Sequence, residues 1–247
     1  MTTRFLAIGG VVATLLATPP AAAQWPPDSL QNLKVLPKTT SVTEIVGIMR
    51  GFASGLGVRC IHCHVGEDPN DLSTTNFVSD EKVEKRKARE MLRMVQTINN
   101  DLLAAIPERS DPPVEVTCST CHHGVTKPID IRAILAETAT THGVDSVTAQ
   151  YEAMREQYYG SDSYDFSTFM LANVAEQIWR QAPNVAFAII EYNLERYPAD
   201  QQTFVTLAQI YQRMGDREAL ITTLERGIEA MPDNQFFKQM LEQVRGN

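Results

Sequence analysis

The chain has 247 residues, 43% of them hydrophobic and 21% charged, and carries a formal net charge of −8 at pH 7. That composition is ordinary for a folded protein and excludes wholesale disorder. The negative balance repels phosphate backbones and argues against nucleic acid as a partner.

The first residues read as an export signal. Met1 to Arg4 is a short positive start, Phe5 to Leu16 is an apolar run, and Ala21-Ala22-Ala23 supplies small residues, so cleavage is expected after Ala23. The run is shorter than the roughly 20 apolar residues that span a bilayer, and Pro19 and Pro20 break it. No later stretch is apolar and long enough to cross a membrane. Residues 1–23 are therefore expected to be a signal peptide, and the mature protein to be periplasmic.

Ser41 to Ala53 has helical periodicity. Val42, Ile45, Val46, Met49 and Phe52 share one face, with Ser41 as N-cap and Glu44 completing a capping box. Gly55-Leu56-Gly57 ends that helix, lets the chain turn back, and leads into Cys60-Ile61-His62-Cys63-His64. A second helix is expected from Ser79 to about Leu103, again with a serine cap. Met91, Met94, Val95, Ile98 and Leu102 form its apolar stripe. Lys82, Lys85, Arg86, Lys87, Arg89 and Arg93 decorate the rest, as a solvated face that could also pair with propionates or dock an acidic partner. Cys118-Ser119-Thr120-Cys121-His122 follows.

The two Cys-x-x-Cys-His motifs use all four cysteines of the chain. Two thiols one turn apart can add across the two vinyl groups of one haem, and the next residue then brings an imidazole to the iron. Zinc binding or two disulfides would leave both following histidines unexplained, and a thioredoxin-like pair would want a βαβ pattern where the periodicity is helical. The expectation is two covalently bound haem c groups, attached at Cys60, Cys63, Cys118 and Cys121, with His64 and His122 as proximal iron ligands. A methionine on an apolar helix face ordinarily fills a core. With two irons needing sixth ligands, Met49 becomes a candidate for the first haem, and Met94, with Met91 as its competitor, for the second. His62 and His123 are expected at the surface or on the propionate side. His142 is expected to be exposed, a lesser candidate for a distal ligand.

Three stretches resemble the photosynthetic reaction-centre cytochrome c subunit family of multihaem domains: Met49 to His64, Ala88 to Asn99, and Val116 to Gly124. The resemblance covers about residues 35 to 128. It implies that each site is built from a helix carrying the axial methionine, a turn, and then Cys-x-x-Cys-His, so that Met49 pairs with His64 and Met94 with His122. The chain departs from the family's best-known members in having cysteines for two haems rather than four, and in a carboxy-terminal region those members need not have.

After Lys127-Pro128 the character changes to polar helical segments, including Val144 to about Tyr159. From about Phe166 the pattern is that of tetratricopeptide-like helix pairs. Leu194-Glu-Arg-Tyr-Pro198 and Ile228-Glu-Ala-Met-Pro232 recur with a 34-residue period. The expected fold class is mainly α, a multihaem c-type cytochrome domain followed by tetratricopeptide-like hairpins. The expected domains are 24–130 (dihaem), 131–165 (helical linker region) and 166–247 (repeats).

The functional expectation is electron transfer between periplasmic or membrane-bound redox proteins, with the repeats as a surface for a protein partner. The alternatives are a dihaem peroxidase-like enzyme with one open iron, or a haem-stapled scaffold. The enzyme would need acid–base residues over that iron, and no spacing places them there.

Overall fold

The structure is a computed structural model that describes residues 29–246. The expected signal peptide lies outside the described residues. The chain is mainly helical, and among the described residues there is no strand, only an isolated antiparallel bridge between Val65 and Asn76. No helix among them is long and apolar enough to cross a membrane. Two compact units divide the described residues: one holds residues 29–49 and Arg59–Pro107, the other Arg50–Val58 and residues 108–246.

Helix α1 is Val42–Leu56. Its start follows the expected capping box, with the Ser41 amide 2.7 Å from the Glu44 carboxylate and the Glu44 amide 3.2 Å from the Ser41 hydroxyl. These bonds hold the Glu44 carboxyl below its usual range. Gly57 ends the helix with φ +65°, a left-handed conformation that glycine adopts without steric cost.

In the first unit a 3-10 turn, Cys60–His62, is followed by the loop that the Val65–Asn76 bridge closes. Helix α2 is Val83–Thr97, and a wider π-helical segment, Ile98–Leu103, continues it. This corrects the expected start at Ser79. The Ser79 hydroxyl instead accepts the Glu81 amide in a turn, and Lys82 is extended at ψ 128°. The cause is tertiary. Asp80 is drawn onto Lys34 (2.5 Å), Arg89 (2.9 Å) and Lys85 (3.4 Å), and its carboxylate also accepts from the Asn32 amide at 2.8 Å. Those contacts outweigh the local preference for extending the helix backwards. The expected stripe is not buried either: α2 has no buried residue, and Met91, Met94 and Leu102 are 46%, 47% and 61% exposed.

In the second unit, the short helix α3 is Cys118–His122, capped reciprocally by Thr117 and Thr120. Seven helices follow: α4 Ile131–His142, α5 Val144–Tyr158, α6 Met170–Ile178, α7 Pro183–Arg196, α8 Gln201–Met214, α9 Arg217–Ala230 and α10 Gln235–Gly246. Helices α7 and α9 begin and end 34 residues apart, as α8 and α10 begin 34 apart. Helices α8 and α9 are capped alike. Asp200 and Asp216 each accept the amide three residues on, and Gly215 closes α8 at φ +73°. The segment expected as a helical linker supplies Leu135, Ala139, Val147 and Tyr151 to the same buried core as Leu171, Ile189, Leu207 and Phe237. That core is continuous from α4 to α10.

Candidate haem sites

The second Cys-x-x-Cys-His motif is helix α3 itself. Cys118 and Cys121 lie one turn apart on it, and His122 is its last residue. His123 then turns left-handed at φ 48° and Gly124 at φ 84°, so the chain doubles back. The doubling brings the Val125 carbonyl 2.9 Å from the Nδ1 of His122. A carbonyl only accepts, so Nδ1 carries the proton and Nε2 is left with a lone pair for a metal. Val125 is itself buried, which fixes the carbonyl in place. The end of α1 lies against this motif: the Gly124 amide donates to the Gly55 carbonyl at 3.0 Å. A side chain on Gly55 would meet the Ser119 hydroxyl at 3.0 Å and Cys118 at 3.1 Å, and one on Gly57 would collide with the Gly124 carbonyl. Glycine at both places lets the backbones approach.

The first motif is built differently. Cys60 opens the 3-10 turn, Cys63 caps it, and the His64 amide donates to the Cys60 carbonyl at 3.0 Å. The Val65–Asn76 bridge returns the chain so that Phe77 stands edge-on to the His64 ring, with centroids 5.1 Å apart. Lys85 secures that return by donating to the carbonyls of Phe77 (2.8 Å) and Ser79 (2.8 Å), and Lys82 donates to the Ile61 carbonyl inside the motif. These lysines, expected on a solvated face, are internal latches. Lys87 and Arg93 remain exposed, as expected.

The His64 ring is pushed down to about 4, first by burial and then by the charges of Lys85, Arg89 and Lys82. It is therefore neutral at pH 7, the form that binds a metal. Its Nδ1 is buried without a hydrogen bond of good geometry, although the Phe77 carbonyl is near enough to favour the protonated ring. Burial also raises the Cys63 thiol, with Glu84 adding to the effect, and raises the Cys118 thiol. None of the four cysteines is in a disulfide. Among the described residues no group of three or more His, Cys, Asp and Glu side chains is gathered to hold a metal ion.

Met49 is half-buried on α1 and falls in the first unit with Cys60, Cys63 and His64. Met91 and Met94, on α2, are exposed in that same unit, whereas His122 falls in the second. His62 is half-buried, and His123 and His142 are exposed. Sequence reasoning did not single out Phe77 or Val125. A bridge between residues eleven apart and a left-handed histidine produce their roles, and neither leaves a pattern in the chain.

The residues fit a haem of the c type. Each motif has paired cysteines outside any disulfide and an imidazole in the right order, His122 is held in the metal-binding tautomer, and α2 leaves Met91 and Met94 exposed. These are the features by which a c-type cytochrome holds its haem. A family model described as the photosynthetic reaction centre cytochrome C subunit matches residues 72–189. Cytochrome c-554 of Chloroflexus aurantiacus is 33% identical over 96 residues, covering 35% of this chain and 21% of the relative. The photosynthetic reaction center cytochrome c subunit of Rubrivivax gelatinosus is 29% identical over 110 residues, covering 38% of this chain and 28% of the relative. The chain thus spans between a fifth and a third of the length of these relatives. No solved structure matches. The comparisons support kinship with this cytochrome family.

Proposed function

We propose that this protein is a periplasmic dihaem c-type cytochrome that passes electrons between redox partners. The observation that carries the reading is the presence of two Cys-x-x-Cys-His turns, none of whose cysteines is in a disulfide, together with an α2 on which Met91 and Met94 are exposed. Cys60, Cys63, Cys118 and Cys121 would hold the two groups, and His64 and His122 with Met49 and Met94 would bind the irons. Bound there, haem supplies a one-electron ferric/ferrous couple, and methionine ligation raises its potential relative to a second histidine.

The protein's own contribution is positional. The Val125 carbonyl keeps the His122 ring in one tautomer, and Phe77, held by Lys85, fixes the His64 ring from the side. A ligand that does not move between oxidation states keeps the reorganisation cost of electron transfer low. The 34-residue recurrence of α7–α8 and α9–α10 supports a tetratricopeptide-like array, read as a docking surface for a protein partner. The names of the relatives support a membrane-associated electron-transfer partner.

Carbon monoxide separates transfer from small-molecule catalysis. Added to the reduced holoprotein, it should leave the spectrum unchanged, because a histidine and a methionine would leave neither iron open. Stoichiometric carbon monoxide binding to either haem would favour an open, enzymatic site and contradict the reading.

A further inference from the structure

The two motifs sit in opposite electrostatic surroundings. Around the first, Lys82 reaches the Ile61 carbonyl between the two cysteines, Lys85 holds the Phe77 carbonyl beside the His64 ring, and Arg89 stands on the same helix. The anions nearby are Glu84 and Asp80, and Asp80 is already engaged by Lys34 and Arg89. The excess is cationic.

Around the second, Asp130 and Asp165 line the hollow that Cys121 and His122 border, and Asp162 lines the one beside Ser119 and His123. Arg132 lies 3.9 Å from Asp130 and is half exposed. The excess is anionic.

The proximal histidines differ in the same sense. The Nδ1 of His122 donates to a buried backbone carbonyl at 2.9 Å, which makes the imidazole a stronger donor to iron. The Nδ1 of His64 has no such bond of good geometry. Nearby positive charge disfavours the ferric state relative to the ferrous one, and a more basic ligand favours it. Charge and ligand basicity therefore act in one direction at each site.

We infer that the haem on Cys60, Cys63 and His64 is the higher-potential of the two, set there by Lys82, Lys85 and Arg89, while Asp130 and Asp165 hold the His122 haem low. The inference rests on the dihaem reading above. At equilibrium a first electron entering the protein reduces the ferric haem at His64, and the ferrous haem at His122 is the first to be oxidised.

The test is a spectroelectrochemical titration of the holoprotein, on samples whose two haems per chain have been verified by pyridine haemochrome and intact mass. Two one-electron waves are expected. Lys82→Gln should lower the upper wave alone, Lys82→Arg should leave both in place, and Asp165→Asn should raise the lower wave alone. Lys85→Gln, followed by the same titration, guards against a local folding defect in the Lys82 variants. Coincident waves, a Lys82→Gln shift in the lower wave, an Asp165→Asn shift in the upper one, or equal shifts for Lys82→Gln and Lys82→Arg would overturn the ordering. Fewer than two haems on the unaltered protein would instead overturn the dihaem reading beneath it.

Discussion

The Nδ1 of His122 lies 2.9 Å from the carbonyl oxygen of Val125, three residues along the chain. The bond exists because His123, with φ 48°, and Gly124, with φ 84°, both take left-handed conformations. A β-branched residue at 123 would resist that conformation by about 1–2 kcal/mol. His123→Val is therefore expected to lower the melting temperature and to shift the spectrum of one haem, while His123→Gly, which accepts the same φ, leaves both unchanged. Calorimetry and ferric absorption spectra report the two effects. Equal behaviour of the two variants would mean that the turn does not hold the carbonyl.

Gly57 offers a second local test. Its φ of +65° and its approach to the Gly124 backbone leave no room for a side chain. Gly57→Ala must move α1 away from the α3 motif or strain the turn, at a cost of about 1–3 kcal/mol. The expected result is reduced haem attachment at Cys118 and Cys121 with attachment at Cys60 and Cys63 retained, read by mass spectrometry of tryptic haem peptides. Normal occupancy of the second motif would show that the close approach does not matter.

Asp80 gives a pH dependence whose sign is fixed. Arg89 and Lys34, with Asn32, hold its carboxyl far below the ordinary carboxylate range. A depressed pKa contributes stability that is present above the unfolded value, about 3.9, and is lost as pH falls below it toward the folded value. Between about pH 4 and pH 2, Asp80→Asn should therefore lose stability less steeply than the unaltered protein, while being less stable at pH 7. Urea unfolding followed by circular dichroism across that range is the measurement. Parallel curves would remove Asp80 from the role of hub.

The methionines can be separated by substitution. Met94→Leu should abolish the methionine-to-iron charge-transfer absorption of one ferric haem and leave that of the other, whereas Met91→Leu should leave both. Met49→Leu should abolish the absorption that survives in Met94→Leu. The opposite result for Met91 and Met94 would move the ligand one turn along α2.

How much of this was legible before the structure depended on how local each cause is. The Ser41–Glu44 capping box, the Gly57 stop and the 34-residue recurrence depend on neighbouring residues or on repetition, so the chain displays them directly. The cysteines and proximal histidines announce themselves because covalent attachment demands one spacing. The start of α2 was misplaced because Asp80 answers to Lys34, distant in the chain, rather than to its helical neighbours. Lys82 and Lys85 looked like a solvated face for a similar reason: their acceptors are backbone carbonyls of Ile61 and Phe77, and any residue carries such a carbonyl. Burial of α4 and α5 in the repeat core was hidden by their polar composition, since only one narrow stripe of each faces inward.

The central claim is that each motif carries a haem. A reduced pyridine haemochrome on protein co-expressed with a haem-attachment system, with intact mass on the same sample, tests it most directly. The account predicts two covalent haems per chain. One haem, or a mass showing only free thiols or disulfides, would contradict it.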